Sequence, residues 1–338
     1  MATHADRPIF VIGCPRSGTT LLQLMLHSHH RIAIPAETRF LLPAYTRRCE
    51  FGDLRDRGRR RELAAWITGR RETKFRDLGL DAAEVAERIV QAPPTIGSAA
   101  GTVFRSYAER FGKPRWGDKR PSYFKHVPLL LRMYPDAQFV HLIRDGRDCV
   151  ASLKEMPWYK LDVYHAASAW REAIDAGRRY AARLGPDGYH ELQYERLVAD
   201  PAGELTRLCA FLGEDFDPAM TEPQEIARLT VPPQKKWHAR TYAEIGTGRV
   251  GSWTERLEEW EVGVAEAAFG DRLAAYGYRP GGAPKASAAQ RARLARTRAQ
   301  RRTTYRKAGL RELWRRRNEP NPVECLLPRP APALQSWG

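Results

Sequence analysis

The segment GCPRSGTT, residues 13–20, constrains the fold of this chain more strongly than any other. It follows an apolar run over residues 8–13 that predicts a buried strand, and it leads into residues 18–29, where Leu and Met recur at helical spacing. Two glycines with four residues between them, placed between a strand and a helix, let successive backbone N–H groups surround an anion. The sequence therefore predicts an α/β domain that begins with a phosphate-type binding loop.

This loop differs from the one that binds nucleoside triphosphates. That loop needs a lysine followed by Ser or Thr, which contact the β/γ-phosphates and Mg²⁺. Here both positions are threonine, Thr19 and Thr20, and the positive charge stands inside the loop as Arg16. Such a loop can hold a less charged group, so a phosphosulfate fits it better than a triphosphate, and no metal is expected.

Apolar runs and helical spacing alternate along much of the chain, which predicts a parallel sheet with helices on both faces. Residues 45–113 are instead charged and helical in pattern, and they predict a helical insertion or lid within the domain. Further strands are predicted at 31–35, 138–143 and 190–194, and further helices at 147–155, 164–184 and 202–212.

Polar side chains follow each predicted strand. Glu37 and Arg39 come after the second, Arg144 after the third, and Tyr194 ends the fourth. Ligands of open parallel sheets bind at the carboxyl ends of the strands. We therefore expect these side chains to meet the first loop around one anionic ligand.

Charge is unevenly distributed. The chain has 56 Lys and Arg against 40 Asp and Glu, and the segment 285–317 holds thirteen of the cations with one acid, Glu312. We place a domain boundary near residue 280, so that 1–280 is one domain and 281–338 comprises a Gly/Pro linker, a basic Arg/Ala-rich helical segment and a Pro-rich tail. Such a basic segment predicts an acidic partner: a nucleic acid, an anionic lipid or an acidic protein.

The cysteine content and the hydropathy of the chain indicate the cellular compartment in which the protein is expected. Five scattered cysteines have no paired spacing, which argues against a disulfide framework and a zinc site and favours reduced thiols. The N-terminus lacks an apolar signal core, and no window approaches 18 uncharged apolar residues. The expectation is a cytoplasmic protein without a membrane span; homo-oligomerisation is left open.

Two of these segments resemble the nucleotide-binding segments of sulfotransferases that use 3′-phosphoadenosine-5′-phosphosulfate (PAPS). PRSGTT, residues 15–20, resembles their 5′-phosphosulfate loop, and FVHLIRDGRDCVASL, residues 139–153, resembles their 3′-phosphate segment. The resemblance implies a P-loop-like nucleotide-binding fold and PAPS as donor. It assigns 3′-phosphate binding to Arg144 and Ser152, and 5′-phosphosulfate binding to Pro15, Arg16, Ser17, Gly18, Thr19 and Thr20.

The resemblance covers residues 8–280 and extends to the chemistry. Glu-Thr-Arg at 37–39 is similar to a triplet of tyrosylprotein sulfotransferases whose glutamate is the base, which implies that Glu37 is the base and that Arg39 faces the acceptor. WGDKRP, residues 116–121, is similar to the segment whose lysine acts at the sulfuryl bridge, here Lys119. QYERLVADP at 193–201 and RVGSW at 249–253 imply nucleotide contacts by Tyr194, Arg249, Gly251 and Trp253.

The sequence departs from these relatives at two positions of the matching segments. Arg120 stands where many of them have threonine, and Met156 stands where the tyrosylprotein branch has an arginine. The acceptor therefore stays open among a small molecule, a sugar, a lipid and a peptide, through a hydroxyl or an amine.

Two other functions stay open at this point. A P-loop kinase-like phosphotransferase would share the loop and the sheet, but it needs a loop lysine and a Mg²⁺ carboxylate after a buried strand. A nucleic-acid-binding protein could use the basic segment, in which Arg dominates. Metal dependence separates the first from a sulfotransferase, and steep salt dependence of nucleic-acid binding identifies the second.

Overall fold

Five parallel strands form a single sheet in the order β2–β3–β1–β4–β5. The computed structural model describes residues 7–230 and 246–327. The predicted α/β fold, a parallel sheet flanked by helices, is confirmed. The strands are β1 (Ile9–Gly13), β2 (Ile32–Ala33), β3 (Arg115–Lys119), β4 (Gln138–Ile143) and β5 (Tyr189–Gln193).

Strand β1 lies at the centre of the sheet and is buried on both faces. Phe10 and Ile12 point into one apolar cluster, and Ile9 and Val11 point into another on the opposite face. This is why the sequence of β1 is continuously apolar instead of alternating. Burial on both faces also fixes the position of the loop that follows Gly13.

Strand β3 was not predicted, because its sequence RWGDK carries three charges. Each charge is satisfied by distant partners. Arg115 donates to the carbonyl of Leu212 at 2.7 Å and to the carboxylate of Glu214 at 3.1 Å. Strand β2 is shorter than predicted and pairs with β3 through Ile32 and Ala33 only.

Helices cover both faces of the sheet. The helices up to β4 are α1 (Thr19–Ser28), α2 (Leu41–Thr46), α3 (Arg57–Gly69), α4 (Ala82–Gln91), α5 (Ile96–Arg110) and α6 (Val127–Met133). Those after β4 are α7 (Gly146–Lys154), α8 (Val163–Gly188), α9 (Tyr194–Ala199), α10 (Pro201–Leu212), α11 (Gln224–Thr230), α12 (Trp253–Arg256), α13 (Glu259–Phe269), α14 (Arg272–Ala275) and α15 (Ala288–Arg317). Among the described residues, no helix has both the length and the apolar character needed to cross a bilayer.

The residues after 280 contact the rest of the chain. Helix α15 lies against α8 and α13, and the segment after it returns to α5, where the amide of Gly97 donates to the carbonyl of Val323 at 3.0 Å. Glu312 of α15 binds the buried Arg48 at 3.1 Å. The domain boundary near residue 280 stays a prediction, and part of the Pro-rich tail lies outside the described residues.

Candidate active site

The loop between β1 and α1 is held in a conformation that only certain residues tolerate. Arg16 and Gly18 have φ values of 73° and 97°. A Cβ on Gly18 would lie 2.5 Å from the ring of Tyr194, so glycine is required there for space as well as for backbone angle. The positive φ of Arg16 is strained, and strain of this kind concentrates where a loop binds a ligand.

The hydroxyl of Ser17 inside this loop lacks a hydrogen-bond partner among the described residues. The amide of Ser17 donates to the carbonyl of Cys14 at 3.1 Å, but the Ser17 hydroxyl is fully buried and has no hydrogen-bond partner among the described residues. A buried polar group of this kind is unfavourable unless a ligand satisfies it. The loop therefore contains a hydroxyl donor that no other described residue engages.

Lys119 brings the end of β3 to the same loop. Its ammonium lies 3.3 Å from the hydroxyl of Thr20 and 3.9 Å from the carboxylate of Glu37. Arg120 lies 3.9 Å from the other oxygen of Glu37. The predicted base and the predicted cation are thus neighbours, even though 82 positions separate them in the sequence.

Asp118 is fully buried next to this pair, a supporting position that the sequence did not predict. Its buried carboxylate accepts hydrogen bonds from the hydroxyls of Thr38 and Tyr123 and from the amide of Lys119. Burial raises the pKa of Asp118 to about 6, an effect that these hydrogen bonds partly oppose. The position of Asp118 beside Lys119 was the signal present in the sequence, but the sequence did not indicate its hydrogen-bond partners.

A second group of cations lies on the other side of the loop. The guanidinium of Arg16 donates to the hydroxyl of Ser152 at 3.0 Å. Arg144 donates to the backbone carbonyl of Arg16 at 3.3 Å and lies over the ring of Tyr194, 4.4 Å from its centroid. Burial and the nearby charge of Arg144 lower the pKa of Arg16. A half-buried arginine and a buried one this close favour an anion near both.

Asp148, a residue that was not predicted, ties the late Arg/Gly/Trp segment to this group. Its fully buried carboxylate accepts from the amides of Gly251 and Trp253 at 3.0 and 2.9 Å and from the hydroxyl of Ser252 at 3.1 Å. It also lies 3.5 Å from Arg144. The sequence signal for Asp148 was its position four residues after Arg144, a spacing that brings two side chains together at the start of a helix.

Three predicted site residues take positions that the sequence did not specify. The backbone carbonyl of Arg249 accepts a hydrogen bond from the guanidinium of Arg144 at 2.6 Å. The ring of Trp253 lies under the guanidinium of Arg147, 4.0 Å away. The side chain of Arg39 is exposed, while its amide donates to Thr73. Their roles in binding stay predictions.

A possible metal site among the described residues lies away from the loop between β1 and α1. His29, His30 and Asp217 form the group with suitable spacing, beyond the C-terminal end of α1 and thus remote from the loop at its N-terminal end. Both ring nitrogens of His29 are engaged, one with the carbonyl of Asp215 and the other with the amide of Arg31. This group contributes nothing to the site at the loop.

Parallel strands that end at an anion-binding loop, with several cations beside it, are typical of nucleotide-binding α/β proteins. A sequence model of the sulfotransferase family matches residues 8–218. The chain belongs to the sulfotransferase family, as the sequence predicted.

Relatives and solved structures agree with this assignment. The chain is 26% identical over 225 residues to protein-tyrosine sulfotransferase 2 of Gallus gallus, a match that covers 64% of this chain and 54% of that protein. It is 25% identical over 266 residues to a putative protein-tyrosine sulfotransferase of Caenorhabditis briggsae, covering 77% and 85%. The chain therefore spans about half the length of the chicken enzyme.

Two solved structures share the fold. The sulfotransferase domain from the curacin biosynthetic pathway superposes with a TM-score of 0.55 at 20% identity, covering 81% of this chain and 98% of that one. The sulfotransferase domain from the Synechococcus PCC 7002 olefin synthase gives a TM-score of 0.52 at 25% identity, covering 75% and 90%.

Proposed function

We propose that this protein transfers a sulfuryl group from PAPS to a hydroxyl or amine of an acceptor, with Glu37 as the general base. The observation that carries the proposal is the convergence of Glu37 and Lys119 at the loop. The carboxylate lies 3.9 Å from the ammonium, which itself lies 3.3 Å from the Thr20 hydroxyl of the loop. This arrangement supports a base and a cation that would lie beside a phosphosulfate bound at the loop.

The donor groups present suit the two charged ends of PAPS. The loop amides, the buried Ser17 hydroxyl and Lys119 would hold the 5′-phosphosulfate. Arg144 and Ser152 would hold the 3′-phosphate. Arg16 touches Ser152 and so lies between the two sets. Two separate anion sites support the expectation that a nucleotide with a 3′-phosphate binds better than one without it.

Bound PAPS supplies an activated sulfuryl group whose leaving group is adenosine 3′,5′-bisphosphate. Lys119 would neutralise the charge that develops on the bridging oxygen, and a preorganised donor of this kind contributes roughly 3 to 4 kcal/mol to transition-state stabilisation. Glu37 would accept the acceptor proton as the new oxygen–sulfur bond forms, worth about 10²- to 10⁴-fold in rate. Lys119 and Arg120 orient this carboxylate from two sides.

The acceptor reaches Glu37 from solvent, since 31% of the Glu37 side chain is exposed. The relatives named protein-tyrosine sulfotransferases support testing tyrosine peptides first. Sugars, lipids and small molecules with a free hydroxyl or amine complete the panel. No metal is needed in this mechanism, because Arg16, Lys119 and Arg144 supply the positive charge.

The test begins with calorimetry in the presence of a chelator. Adenosine 3′,5′-bisphosphate is expected to bind clearly better than 5′-AMP, and equal affinity for the two nucleotides would refute the proposed donor. Incubation with PAPS and the acceptor panel should then give a product heavier by one sulfuryl group, detected by mass spectrometry. Phosphorylation from ATP that stops in chelator would instead show a P-loop kinase-like enzyme.

A further inference from the structure

The C-terminal half of α15 exposes a band of large apolar side chains. Leu310, Leu313 and Trp314 are 68%, 58% and 64% exposed. Their spacing of three and four residues places them on one face of the helix. Single exposed apolar residues are ordinary, but three neighbours on one helical face form a patch, and patches mark interaction sites.

The opposite face of α15 is fixed to the body, so this band cannot turn inward. Leu294 and Thr297 are buried. Further along the same face, Glu312 accepts hydrogen bonds from Tyr45 at 2.6 Å and from Arg48 at 3.1 and 3.2 Å. At 100° per residue, Glu312 points about 160° away from Leu310 and Trp314 and about 100° away from Leu313. The apolar band is therefore held towards solvent.

Cations lie at both ends of the band. Arg306 and Lys307 come one turn before Leu310, and Arg317 comes one turn after Leu313, all on the outward side of the helix. No carboxylate of the described residues pairs with these three cations. Helix α15 as a whole carries twelve Lys and Arg against Glu312 alone. An apolar centre with cations around it is the pattern of a helix that lies in a membrane interface.

We propose that this face of α15 docks on an anionic lipid surface. Leu310, Leu313 and Trp314 would enter the boundary between headgroups and acyl chains, while Arg306, Lys307 and Arg317 reach the lipid phosphates and carboxylates. A second copy of the chain would bring like charges together at this face. Nucleic acid would pair with the cations but would leave the two leucines in water, so lipid fits both features.

Vesicle co-sedimentation of the full-length protein tests the proposal. Phosphatidylcholine vesicles that contain phosphatidylserine should bind the protein at low salt and release it at high salt, and pure phosphatidylcholine should bind far less. Arg306→Gln with Arg317→Gln should weaken binding about 30-fold. The control Arg57→Gln with Arg61→Gln removes the same charge from the exposed face of α3 and should change binding less than threefold.

Separate variants test the contribution of the apolar side chains of α15 to vesicle binding. Leu310→Gln with Leu313→Gln should abolish measurable binding, and both side chains point to solvent, so thermal unfolding should not change. Trp314→Phe should keep binding but lose the fluorescence quenching caused by brominated acyl chains, a readout that does not depend on the other substitutions. Unchanged binding of the double leucine variant would overturn the proposal, as would equal losses in the two arginine variants. Binding of DNA or self-association in place of vesicle binding would also overturn it.

Discussion

The buried carboxylate of Asp118 accepts a hydrogen bond from the hydroxyl of Thr38 at 3.2 Å. Thr38 follows Glu37 directly, and Asp118 directly precedes Lys119. This contact therefore joins the segment that carries the proposed base to the strand that carries the proposed cation. It explains how a carboxylate after the short edge strand β2 keeps its position beside the loop after β1.

Glu37→Gln should keep nucleotide binding and lose turnover. Glutamine preserves the shape of the side chain but cannot take the acceptor proton, so we expect kcat to fall about 10²- to 10⁴-fold, or roughly 3 to 5.5 kcal/mol in barrier. An aliphatic hydroxyl should lose more than a phenol, whose proton leaves more readily. Steady-state kinetics and calorimetry check this, and turnover within a few-fold of wild type would assign the base elsewhere, with Asp118 the nearest other carboxylate in the matching segments.

Asp118→Asn should change how stability depends on pH. The pKa of Asp118 is about 6 in the folded protein, above its usual 3.8, because of burial. The folded state therefore holds this proton more tightly than the unfolded state, and the associated stabilisation, present below about pH 4, is lost as pH rises to about 6. The loss amounts to roughly 3 kcal/mol, and asparagine does not titrate.

Urea unfolding between pH 4 and pH 7 measures this difference. As pH rises across that range, the free energy of unfolding of Asp118→Asn should increase relative to that of wild type by roughly 3 kcal/mol, because only wild type loses stability. Asp271→Asn is the control, since the Asp271 side chain is 80% exposed. A pH-independent difference for Asp118→Asn would show that Asp118 has no raised pKa.

Much of the fold could be predicted because apolar runs end at turn residues. Strands β1, β4 and β5 lie within one residue of their predicted positions for this reason. Strand β3 could not be predicted, since its charges are satisfied by residues far along the chain, such as Gln138 and Glu214 for Arg115. Local periodicity does not contain these partners.

The candidate site likewise contains residues that could be predicted from the sequence and residues that could not. The loop at 13–20, Arg144 and Tyr194 were found because each follows a recognisable strand and because the segments resemble a known family. The supporting roles of Asp118 and Asp148 were not predicted, since they depend on contacts that span 80 and 105 positions in the sequence. The contact between Glu312 and Arg48 spans 264 positions, which explains why the sequence presented α15 as part of a tail.

Arg144→Ala should remove the preference for a 3′-phosphate. Loss of a charged hydrogen-bond partner of phosphate should weaken binding of adenosine 3′,5′-bisphosphate by roughly 1.5 to 3 kcal/mol, or about 10- to 150-fold. Binding of 5′-AMP, which lacks that phosphate, should change little. Calorimetry of both nucleotides with both proteins gives the comparison, and equal losses for the two would show that Arg144 acts on the loop conformation through the Arg16 carbonyl instead.

Asp148→Asn should release the late segment and weaken nucleotide binding. The fully buried carboxylate accepts three hydrogen bonds from residues 251–253 and faces Arg144. Asparagine keeps one oxygen but brings an NH₂ group against these donors and removes the charge opposite Arg144. Each charged hydrogen bond lost costs roughly 1.5 to 3 kcal/mol, so local opening of this segment should become at least about tenfold more frequent.

Hydrogen exchange followed by mass spectrometry measures this opening directly. Exchange should accelerate in the peptide that contains Gly251 and Trp253, whereas the central strand β1 should stay protected. Adenosine 3′,5′-bisphosphate should bind more weakly, and at saturation it should restore part of the protection if residues 249–253 close over the nucleotide. Asp200→Asn is the control, because Asp200 caps α10 through the amide of Gly203 and has no contact with the late segment among the described residues. Unchanged exchange at 251–253 in Asp148→Asn would show that this carboxylate does not hold the segment in place.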